Sequence, residues 1–442
     1  MEFEKIHLGD VATLKNGYAY KSKDFVENGI PVVKIKNIQP PFIDINDCNY
    51  VSEDVYELTK EYSLRYGDIL ISMTGSGVNQ MSSAVGKVGR VQFNDKALQN
   101  QRVGKIEIID KTKYDSDFLF YYISQKKLLE YFVINSTGSA NQANISKKII
   151  ENTPIPNISL YKQKKIGYIL RLLDKKLKKN NKIIENLEAQ AQAIFKSWFV
   201  DFEPFQDGNF VESELGLIPE GWNVFKLEDI ADISNGYSFK SKDLQDSYKN
   251  ENDYRVFKQG DIKVGGGFNL DKTKSWISEK FIENNKIERF ILDKNDILMC
   301  MTDMKDNVRL LGNTAYIWEE NKYVLNQRVG RIRCANKKIT PSFIYFLTNS
   351  QEFLNDLRGR ANRGVQVNLS SKEIKRSLFV MPNEQYLNRF NKYSTLVMEM
   401  VGNLYLENYR LIKLRDTLLP KLMSGEIDVS NIKIDDEDID YE

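Results

Sequence analysis

Two short groups of lysine and serine stand at corresponding places in the two halves of this 442-residue chain. They are Lys21-Ser22-Lys23 and Lys240-Ser241-Lys242, and each follows an Asn-Gly turn. Two cations beside a hydroxyl group commonly hold a protein on phosphate groups without reading bases. The simpler interpretation is an exposed loop held by its own turn. Because both halves keep the group, we favour phosphate contact.

A second set of polar residues lies on or just beyond a predicted strand in each half, and here the halves differ. Asn and Gln can form two hydrogen bonds with adenine, and Arg or Lys with guanine, in the major groove of DNA. Two different targets would require such divergence inside a repeated frame, whereas a surface loop without a ligand is the alternative for any single residue. The candidates are Thr74, Ser76, Asn79 and Gln80 in the first half and Thr302, Lys305, Asn307 and Arg309 in the second.

A third set occupies polar, glycine-containing loops before the last strand of each half. The arginine-rich loop of the second half is the stronger candidate for nucleic acid, because a guanidinium group can bind phosphate or guanine. The residues are Asn141 and Gln142 in the first half and Arg358, Arg360, Asn362 and Arg363 in the second.

One further polar segment is the same in both halves. Asn100-Gln101-Arg102-Val103-Gly104 recurs as Asn326-Gln327-Arg328-Val329-Gly330. This sameness argues against base reading by the Gln and Arg side chains. A phosphate contact and a structural hydrogen bond both remain open, and we favour the structural bond.

These residues belong to a repeat that covers almost the whole chain. The segment Leu8–Asp24 recurs as Leu227–Asp243 at an offset of 219 residues, and Asn144-Ile145-Ser146 recurs as Asn368-Leu369-Ser370 at an offset of 224. The repeats of solenoid proteins are roughly 20–50 residues long, so this is a domain-plus-helix unit used twice. Two such units can address two similar but non-identical targets.

Apolar residues alternate in steps of four and three after each predicted domain, which is typical of a coiled coil. We predict two antiparallel helices that pack on each other, and about 38 residues would span roughly 57 Å. Asn180 and Asn408 are predicted to face each other and fix the register, with solvent-tolerant positions as the alternative. The repeating positions are Ile166, Leu170, Leu173, Leu177, Asn180, Ile184, Leu187, Ala191, Ile194 and Trp198, and Leu387, Phe390, Ser394, Val397, Val401, Leu404, Asn408, Leu411, Arg415, Leu418 and Leu422.

The pattern predicts an α+β protein with two repeated mixed α/β domains, separated by two long helices that form an antiparallel coiled coil. In the first domain, apolar spacing also predicts a single helix over Asp117–Phe132. We expect the acidic end of the chain, Asp435–Glu442, to be frayed. The expected boundaries are 1–156 for the first domain, 157–200 for the first helix, 201–221 for an acidic connector, 222–382 for the second domain, 383–424 for the second helix and 425–442 for an acidic tail.

The net charge of +2 hides an uneven distribution. Residues 161–197 carry ten Lys or Arg and three acidic residues, whereas residues 201–220 carry six acidic residues and no basic ones. Clustered basic residues are typical of a nucleic-acid binder. A solvated helix face explains the same charges equally well.

Several kinds of catalytic site are missing from the sequence. It has no Gly-x-x-x-x-Gly-Lys-Ser/Thr loop, and its only histidine is His7, which excludes histidine triads and histidine metal clusters. Cys48, Cys300 and Cys334 are too far apart in sequence to indicate a disulfide framework or a metal clip, which suits a reducing cytosol. Neither a membrane span nor a secretory signal is visible. We therefore expect a non-catalytic, cytoplasmic protein without a metal or a cofactor.

Taken in order, the repeated motifs resemble the specificity subunit of Type I restriction–modification enzymes over essentially the whole chain. The resemblance rests on the Asn-Gly-Tyr-x-aromatic-Lys-Ser-Lys-Asp openings, the strands Gly67–Leu70 and Asn295–Leu298, and the two Asn-Gln-Arg-Val-Gly segments. It also rests on the connector, from Trp198–Phe205 to Gly216–Trp222. Each motif is weak alone, and their order and duplication make the match specific.

The resemblance implies that each domain is a target-recognition domain that reads one half of an asymmetric, gapped sequence in double-stranded DNA. It also implies that the helices set the gap and dock two modification subunits. Methyl transfer from S-adenosylmethionine would belong to those subunits, and ATP-driven translocation and cleavage to restriction subunits of the same complex. Two alternatives are a coiled-coil scaffold whose ends bind protein and a methyltransferase with unfamiliar motifs.

Overall fold

The computed structural model of the chain describes residues 3–77, 84–139, 142–269, 275–304, 308–363 and 366–432. The chain divides into two compact units. The first unit comprises Met1–Leu177 and Leu411–Glu442, and the second comprises Lys178–Arg410. Each unit contains a globular α/β part and a section of both long helices, Leu160–Phe199 and Glu384–Ser424.

The globular part of the first unit is built on a six-stranded sheet. In spatial order its strands are Ala12–Asn16, Val103–Ile108, Ile69–Ser72, Val88–Arg90, Phe42–Ile43 and Ile38–Gln39. The other sheets are Leu98–Gln99, Ile30–Val33, Asn49–Val51 and Phe25–Val26, then Thr137–Ser139, Gln142–Asn144 and Thr74–Gly75, and the pair Lys5–His7 and Pro154–Pro156. The short α-helices are Glu53–Leu58, Ser116–Ile123, Lys126–Ile134 and Lys147–Glu151.

The middle of the six-stranded sheet is apolar on both faces, which explains its place in the core. All four residues of Ile69–Ser72 are buried, and the strand pairs antiparallel with Val103–Ile108. Helix Ser116–Ile123 packs into the same core, and seven of its eight residues are buried. A helix that is apolar around most of its circumference is expected to be enclosed in this way.

The prediction of a single helix over Asp117–Phe132 is wrong, because the chain breaks at Ser124 and Gln125. Gln125 has an extended backbone, with φ −65° and ψ 144°, and its Nε2 donates to the carbonyl oxygen of Tyr122 at 2.9 Å. The Gln125 side chain therefore closes the first helix, and the backbone carbonyl oxygen of Gln125 accepts the N–H groups of Leu128 and Leu129 in the second helix. Apolar spacing alone does not reveal such a break.

The second unit repeats this plan with a four-stranded main sheet. In spatial order its strands are Ala231–Asn235, Val329–Cys334, Ile297–Cys300 and Thr314–Tyr316. The other sheets are Trp276–Ile277, Tyr254–Phe257 and Tyr323–Leu325, then Thr302–Met304, Gln366–Asn368 and Asn362–Arg363, the pair Asn223–Lys226 and Leu378–Met381, and the pair Phe210–Ser213 and Gly216–Pro219. The short α-helices are Glu279–Asn285, Pro341–Thr348, Gln351–Gly359 and Ser371–Lys375.

The two main sheets share one strand register at the repeated motifs. Asn16 lies opposite Gly104 in the first unit, and Asn235 lies opposite Gly330 in the second. The sequence repeat is therefore a structural repeat. The predicted fold class, with two repeated mixed α/β domains and two long helices, is confirmed.

The long helices run antiparallel within the second unit. Asn180 Nδ2 donates to Asn408 Oδ1 at 2.9 Å, while the rings of Phe195 and Phe390 lie 5.5 Å apart. Asn408 Nδ2 in turn donates to Asn181 Oδ1 at 2.9 Å, and Asn180 and Asn408 are both at most 2% exposed. The predicted pairing of the two asparagines is confirmed, and their role in fixing the register stays a prediction.

The acidic connector contains more structure than its composition indicates. Phe210–Ser213 and Gly216–Pro219 form an antiparallel hairpin. The ring of Phe205 lies 4.8 Å from that of Trp222 and 4.6 Å from that of Tyr386. Aromatic contacts therefore fasten the connector to the second domain and to the first turn of the helix Glu384–Ser424.

The corresponding place in the first unit is filled by the segment that follows the second long helix. Lys165, only 2% exposed, donates from Nζ to the carbonyl oxygens of Ser430 at 3.0 Å and Val429 at 3.4 Å. Val429 itself is buried. The start of the tail is therefore packed, whereas Asp435–Glu442, predicted to be frayed, lies outside the described residues.

Candidate nucleic-acid interface

In the first unit, two polar segments that are distant in sequence meet in one three-stranded sheet. The strand Thr74–Gly75 pairs antiparallel with Gln142–Asn144, which pairs with Thr137–Ser139. Thr74 lies opposite Asn144 in this register. We call this the small sheet of the first unit, and it unites the second and third sets of candidate residues.

The second unit has a small sheet of the same construction. The strand Thr302–Met304 pairs antiparallel with Gln366–Asn368, which pairs with Asn362–Arg363. Met304 lies opposite Gln366. In both sheets a threonine lies opposite an asparagine, Thr74 opposite Asn144 and Thr302 opposite Asn368, so the differences between the halves lie elsewhere on these strands and in the segments beside them.

The entry into each small sheet is fixed by one internal hydrogen bond. Ser72 Oγ donates to the carbonyl oxygen of Thr74 at 2.8 Å, and Cys300 Sγ donates to that of Thr302 at 3.2 Å. Both donors are completely buried, and burial raises the pKa of the Cys300 thiol to about 12. Ser72 and Cys300 are thus supporting residues rather than surface contacts.

The small sheets present several of the predicted residues to solvent. Ser76 and Gln142 in the first unit and Arg309 and Asn362 in the second have exposed side chains. Thr74 is half-buried. These residues are accessible to a ligand.

Thr302 and its neighbour Asp303 point inward and order the loop that carries Arg309. Thr302 is half-buried, and its Oγ1 donates to Gln259 Oε1 at 2.5 Å. Asp303 Oδ2 accepts the backbone N–H groups of Leu310 at 2.7 Å and Leu311 at 3.1 Å. A half-buried polar side chain of the second unit therefore holds the backbone directly after Arg309.

Arg358 and Arg360, expected to be the stronger candidates, are engaged inside the second unit. Arg358 donates to the carbonyl oxygens of Leu311 at 2.9 Å and Arg309 at 3.0 Å, and burial lowers its pKa. Arg360 donates to Ser377 Oγ at 2.7 Å and forms an ion pair with Asp356. A DNA contact by either arginine would compete with these bonds, so we rank both last among the candidates.

Six of the predicted residues cannot be placed by their side chains. Arg363 belongs to the strand Asn362–Arg363, and only its backbone is described. The other five lie outside the described residues; they are Asn79, Gln80, Asn141, Lys305 and Asn307.

The lysine–serine groups are not part of the small sheets and lie at short 3₁₀ turns. Ser22–Asp24 and Ser241–Asp243 are the two turns, and Asp24 Oδ2 accepts the backbone N–H of Lys21 at 2.7 Å. All lysine and serine side chains of both groups are exposed. Among the residues that the structure describes, none of the four lysines forms an ion pair, so their charges remain available to an anion.

A tight turn of the same sequence lies next to each small sheet, at Asn100–Val103 and Asn326–Val329. We call it the Gln-Arg turn. In both copies the valine N–H donates to the asparagine carbonyl, at 2.9 and 3.0 Å, and the asparagine Oδ1 accepts the arginine N–H at 3.3 Å. The structural hydrogen bond expected of the Gln and Arg side chains is thus made by the asparagine. The exposed side chains are those of Gln101, Arg102, Gln327 and Arg328.

The Asn-Gly pair that opens each half is explained by its contact with the Gln-Arg turn. A Cβ atom on Gly17 would lie 2.4 Å from the carbonyl oxygen of Gln99, and one on Gly236 would lie 2.3 Å from that of Asn326. Real Cβ atoms do not approach backbone oxygen so closely. Glycine is therefore required at both positions for the opening strand to reach the turn.

Within the described ranges, no group of three or more His, Cys, Asp or Glu side chains is arranged to hold a metal ion. The three cysteines, Cys48, Cys300 and Cys334, are free. No described helix has the length and apolar content needed to cross a bilayer.

The sequence matches a family model described as the Type I restriction modification DNA specificity domain. The match covers residues 1–189 and residues 219–386. Each matched segment contains one small sheet and one Gln-Arg turn, so the family pattern occurs once in each half.

Named relatives carry the same description over most of this chain. It is 28% identical over 350 residues to the Type I restriction enzyme MjaVIII specificity subunit of Methanocaldococcus jannaschii, covering 78% of this chain and 70% of that protein. It is 24% identical to the MjaIX specificity subunit of the same organism over 98% of both chains. It is 23% identical to the EcoBI specificity subunit of Escherichia coli over 96% of this chain and 86% of that one.

A solved structure shares the fold. The crystal structure of the Type I restriction–modification S subunit from M. genitalium aligns with a TM-score of 0.52 and 17% sequence identity, covering 96% of each chain. At this identity the likeness bears on the fold alone.

Proposed function

This chain belongs to the Type I restriction modification DNA specificity family, and from that premise we propose that it reads a bipartite sequence in double-stranded DNA. The domain at residues 1–156 reads one half of the target, and the domain at residues 222–382 reads the other. The two half-sites differ, because the two small sheets differ.

The observation that carries this proposal is the contrast between a repeated frame and divergent small sheets. The strand register, the Gln-Arg turn and the Asn-Gly opening are the same in both units. The exposed residues on and beside the small sheets differ at some equivalent positions, with Ser76 in the first unit where the second has Met304, and Thr137 where it has Asn362. Gln142 and Gln366 are the same at the same register, and the exposed Arg309 follows the strand Thr302–Met304 of the second unit alone. Direct reading of bases requires such differences, whereas contacts to the DNA backbone do not.

Under this proposal the predicted residues fall into three groups. The exposed lysine–serine groups, Lys21-Ser22-Lys23 and Lys240-Ser241-Lys242, bind backbone phosphates. The small sheets and their loops read bases. Arg358 supports the backbone at Arg309 and Leu311, and Arg360 is held by Ser377 and Asp356. The residues assigned to base reading are Thr74, Ser76, Asn79, Gln80, Asn141, Gln142, Thr302, Lys305, Asn307, Arg309, Asn362 and Arg363.

The long helices set the gap between the half-sites and dock two modification subunits. A straight helix of 40 residues, the length of Leu160–Phe199, is about 60 Å long. Its repeating apolar positions are buried or half-buried, whereas Leu172 and Ile183 remain at least 36% exposed. Catalysis belongs to the partners: modification subunits transfer the methyl group, and restriction subunits translocate and cleave DNA.

Methylome sequencing tests this assignment directly. A cell would carry this chain together with its modification subunit, and a matched cell would carry a chimera in which residues 1–156 come from another specificity subunit. A second chimera, with residues 222–382 replaced, serves as the reciprocal control. We expect an asymmetric, gapped adenine-methylation motif in which each chimera changes one half only.

Two outcomes of the chimera experiment would contradict the proposed function. Methylation that is unchanged in both chimeras would show that this chain does not direct modification, and a coiled-coil scaffold would become the better description. A motif that changes in both halves in either chimera would contradict independent reading by two domains.

A further inference from the structure

We propose that Arg102 and Arg328, the arginines of the two Gln-Arg turns, each bind a phosphate group of the DNA backbone and thereby position the adjacent small sheet on the duplex. This inference rests on the proposed function, because it assigns a ligand within the same surface. It replaces the structural role that the sequence favoured for these two side chains.

Each Gln-Arg turn is held at a fixed place beside its small sheet. In the first unit, the N–H of Gln101 donates to the carbonyl oxygen of Tyr18 at 2.9 Å, and the carbonyl oxygen of Arg102 accepts the N–H of Met73 at 3.0 Å. Met73 immediately precedes the strand Thr74–Gly75. The second unit repeats both bonds, at 2.9 and 3.2 Å. Each turn is therefore fixed between the opening motif and the strand that enters the small sheet.

The side chains of Arg102 and Arg328 are free to bind a ligand. Arg102 and Arg328 are exposed, and neither side chain forms a hydrogen bond or ion pair with another residue in the described part of the chain. Arg333, by contrast, is paired with Asp296, and Arg358 with backbone carbonyls. A guanidinium group on a rigid turn presents several donors in a fixed plane, the geometry that suits bidentate phosphate binding.

The fold explains the asparagine, valine and glycine of the Asn-Gln-Arg-Val-Gly motif but not its arginine. The asparagine closes the turn, Val103 is completely buried, and a Cβ atom on Gly104 would lie 2.7 Å from Leu14 Cδ1. Among the residues that the structure describes, nothing requires an arginine at the exposed corner of either turn. Its presence in both units indicates an external ligand that both units share.

That shared ligand is the DNA backbone rather than a base. Two domains with different small sheets meet different bases, so residues that read bases diverge between them. Phosphate groups are the same at every position of a duplex, and contacts to them fix register and orientation. Arg102 and Arg328 each accept, at the backbone carbonyl, an N–H from the residue that immediately precedes the small sheet. An arginine kept in both units at this position matches a phosphate contact.

The test is the salt dependence of DNA binding by the full chain assembled with its modification subunit. The probes are a duplex that carries the motif mapped by methylome sequencing and a scrambled duplex of equal length. Arg102→Gln, Arg328→Gln and the double variant are compared with the parent over a series of salt concentrations. Each phosphate contact contributes about 0.9 to the slope of log K against log salt concentration.

We expect each single variant to lose about 0.9 of that slope and the double variant about twice as much. We also expect each single variant to bind about tenfold more weakly at low salt, by the same factor on both duplexes. Arg102→Lys should retain the slope, because it keeps the charge. The methylated motif should be unchanged, and so should the melting temperature.

Arg65→Gln is the matched control in the first unit. Arg65 is exposed and precedes the strand Ile69–Ser72, whereas the Gln-Arg turn and the small sheet lie at the other end of that strand. This variant should bind both duplexes as the parent does. If it loses as much slope as Arg102→Gln, the effect is one of overall charge and the inference is overturned.

The remaining outcomes separate this inference from the proposed function. A parent complex that binds neither duplex contradicts the proposed function itself. A parent that binds, with arginine variants of unchanged slope and affinity, overturns the inference alone. A lower melting temperature without a change in slope would mean a structural role, a changed motif would mean base reading, and loss of complex assembly would mean a protein partner.

Discussion

Each unit has a tyrosine–carboxylate bond between its domain and the helix Leu160–Phe199, and the electrostatics of the two bonds differ. Tyr121 in the first unit and Tyr345 in the second lie on corresponding helices, Ser116–Ile123 and Pro341–Thr348, but one position apart, because the counterpart of Tyr345 is Phe120. Tyr121 donates from its hydroxyl to Asp174 Oδ2 at 2.7 Å, and Tyr345 donates to Glu188 Oε1 at 2.9 Å. Both carboxylates belong to the helix Leu160–Phe199, so each domain is fastened to the same helix by a tyrosine–carboxylate bond.

The difference lies in how each carboxylate is compensated. Asp174 forms an ion pair with Arg415 at 3.1 Å, and both side chains are largely buried. Glu188 forms no ion pair with any described residue. Burial raises the pKa of Glu188, and the Tyr345 bond and nearby Lys263 offset this only in part. The two units therefore share a tyrosine–carboxylate bond, made by non-equivalent residues, but not its charge balance, and they should respond differently to mutation and to pH.

Replacing Arg415, the cation that is paired with Asp174 in the first unit, should have the largest effect on stability. Arg415→Met leaves Asp174 buried without its charge partner, and breaking a buried ion pair in this way costs about 3–5 kcal/mol. Denaturant unfolding of the full chain should show this loss in the free energy of unfolding. The same experiment should show that the second unit keeps its own stability.

A double variant separates lost pairing from lost packing. In Arg415→Met with Asp174→Asn, the buried charge is removed as well, and Tyr121 can still donate to the amide oxygen. We expect the double variant to be more stable than Arg415→Met alone, which gives a favourable coupling energy in the double-mutant cycle. Additive effects of the two changes would mean that the ion pair contributes nothing specific.

The glycines of the Asn-Gly openings should be equally intolerant of substitution in the two units. Gly17→Ala and Gly236→Ala both drive a Cβ atom into backbone oxygen, and we expect each to lower the free energy of unfolding by about 2–3 kcal/mol. Gly359→Ala is the control, because a Cβ atom there has no neighbour within 4 Å. It should leave stability unchanged or raise it. A tolerated Gly17→Ala would contradict the shared frame.

The asparagine pair of the second unit is expected to trade stability for register. Replacing Asn180 and Asn408 by Leu together should raise the free energy of unfolding by about 1–2 kcal/mol, because buried amides cost stability in a helix seam. Disulfide trapping between cysteines introduced at alternative registers should then reveal more than one alignment. Asn408→Leu alone should be destabilising, since Asn180 stays buried with one partner fewer. A less stable double variant would refute the trade.

Much of this fold follows from sequence periodicity. The steps of four and three predict the buried helix seam and the meeting of Asn180 with Asn408, and the internal repeat predicts two equivalent sheets. The break at Gln125 does not follow, because it depends on one side chain that donates to the carbonyl oxygen of Tyr122. The packed start of the tail depends likewise on Lys165, whose buried position cannot be distinguished by sequence from that of any other lysine in a basic helix.

The candidate site is harder to derive from sequence, because its parts meet only through long-range strand pairing. Thr74 and Asn144 can each be marked as polar and near a turn, but their register is a property of the folded sheet. Composition favours Arg358 as a ligand residue, whereas the structure gives its guanidinium group two internal carbonyl partners. Arg102 looked structural because it repeats, and only the geometry of its turn shows that the asparagine takes that role.

The smallest expected effect is a difference between Glu188 and Asp174 in how their substitution changes the free energy of unfolding with pH. A carboxyl group whose pKa is raised in the folded protein binds its proton more tightly there than in the unfolded chain. Its contribution therefore favours folding below the usual value of 4.5 and is lost as pH rises toward the raised pKa of the folded protein. Glu188→Gln removes this loss while the amide oxygen keeps the Tyr345 bond. The variant should therefore gain stability relative to the parent as pH rises from acid to neutral, and the gain should level off above the raised pKa.

The counterpart change in the first unit should have the opposite sign. Asp174→Asn leaves the largely buried Arg415 with only the exposed Asp416 as an ion-pair partner, so the variant should be less stable than the parent at neutral pH. Denaturant unfolding of both variants and the parent over a series of pH values measures the two differences side by side. If Glu188→Gln destabilises the chain at neutral pH as Asp174→Asn does, Glu188 is a compensated carboxylate after all. The electrostatic contrast between the two units would then not exist.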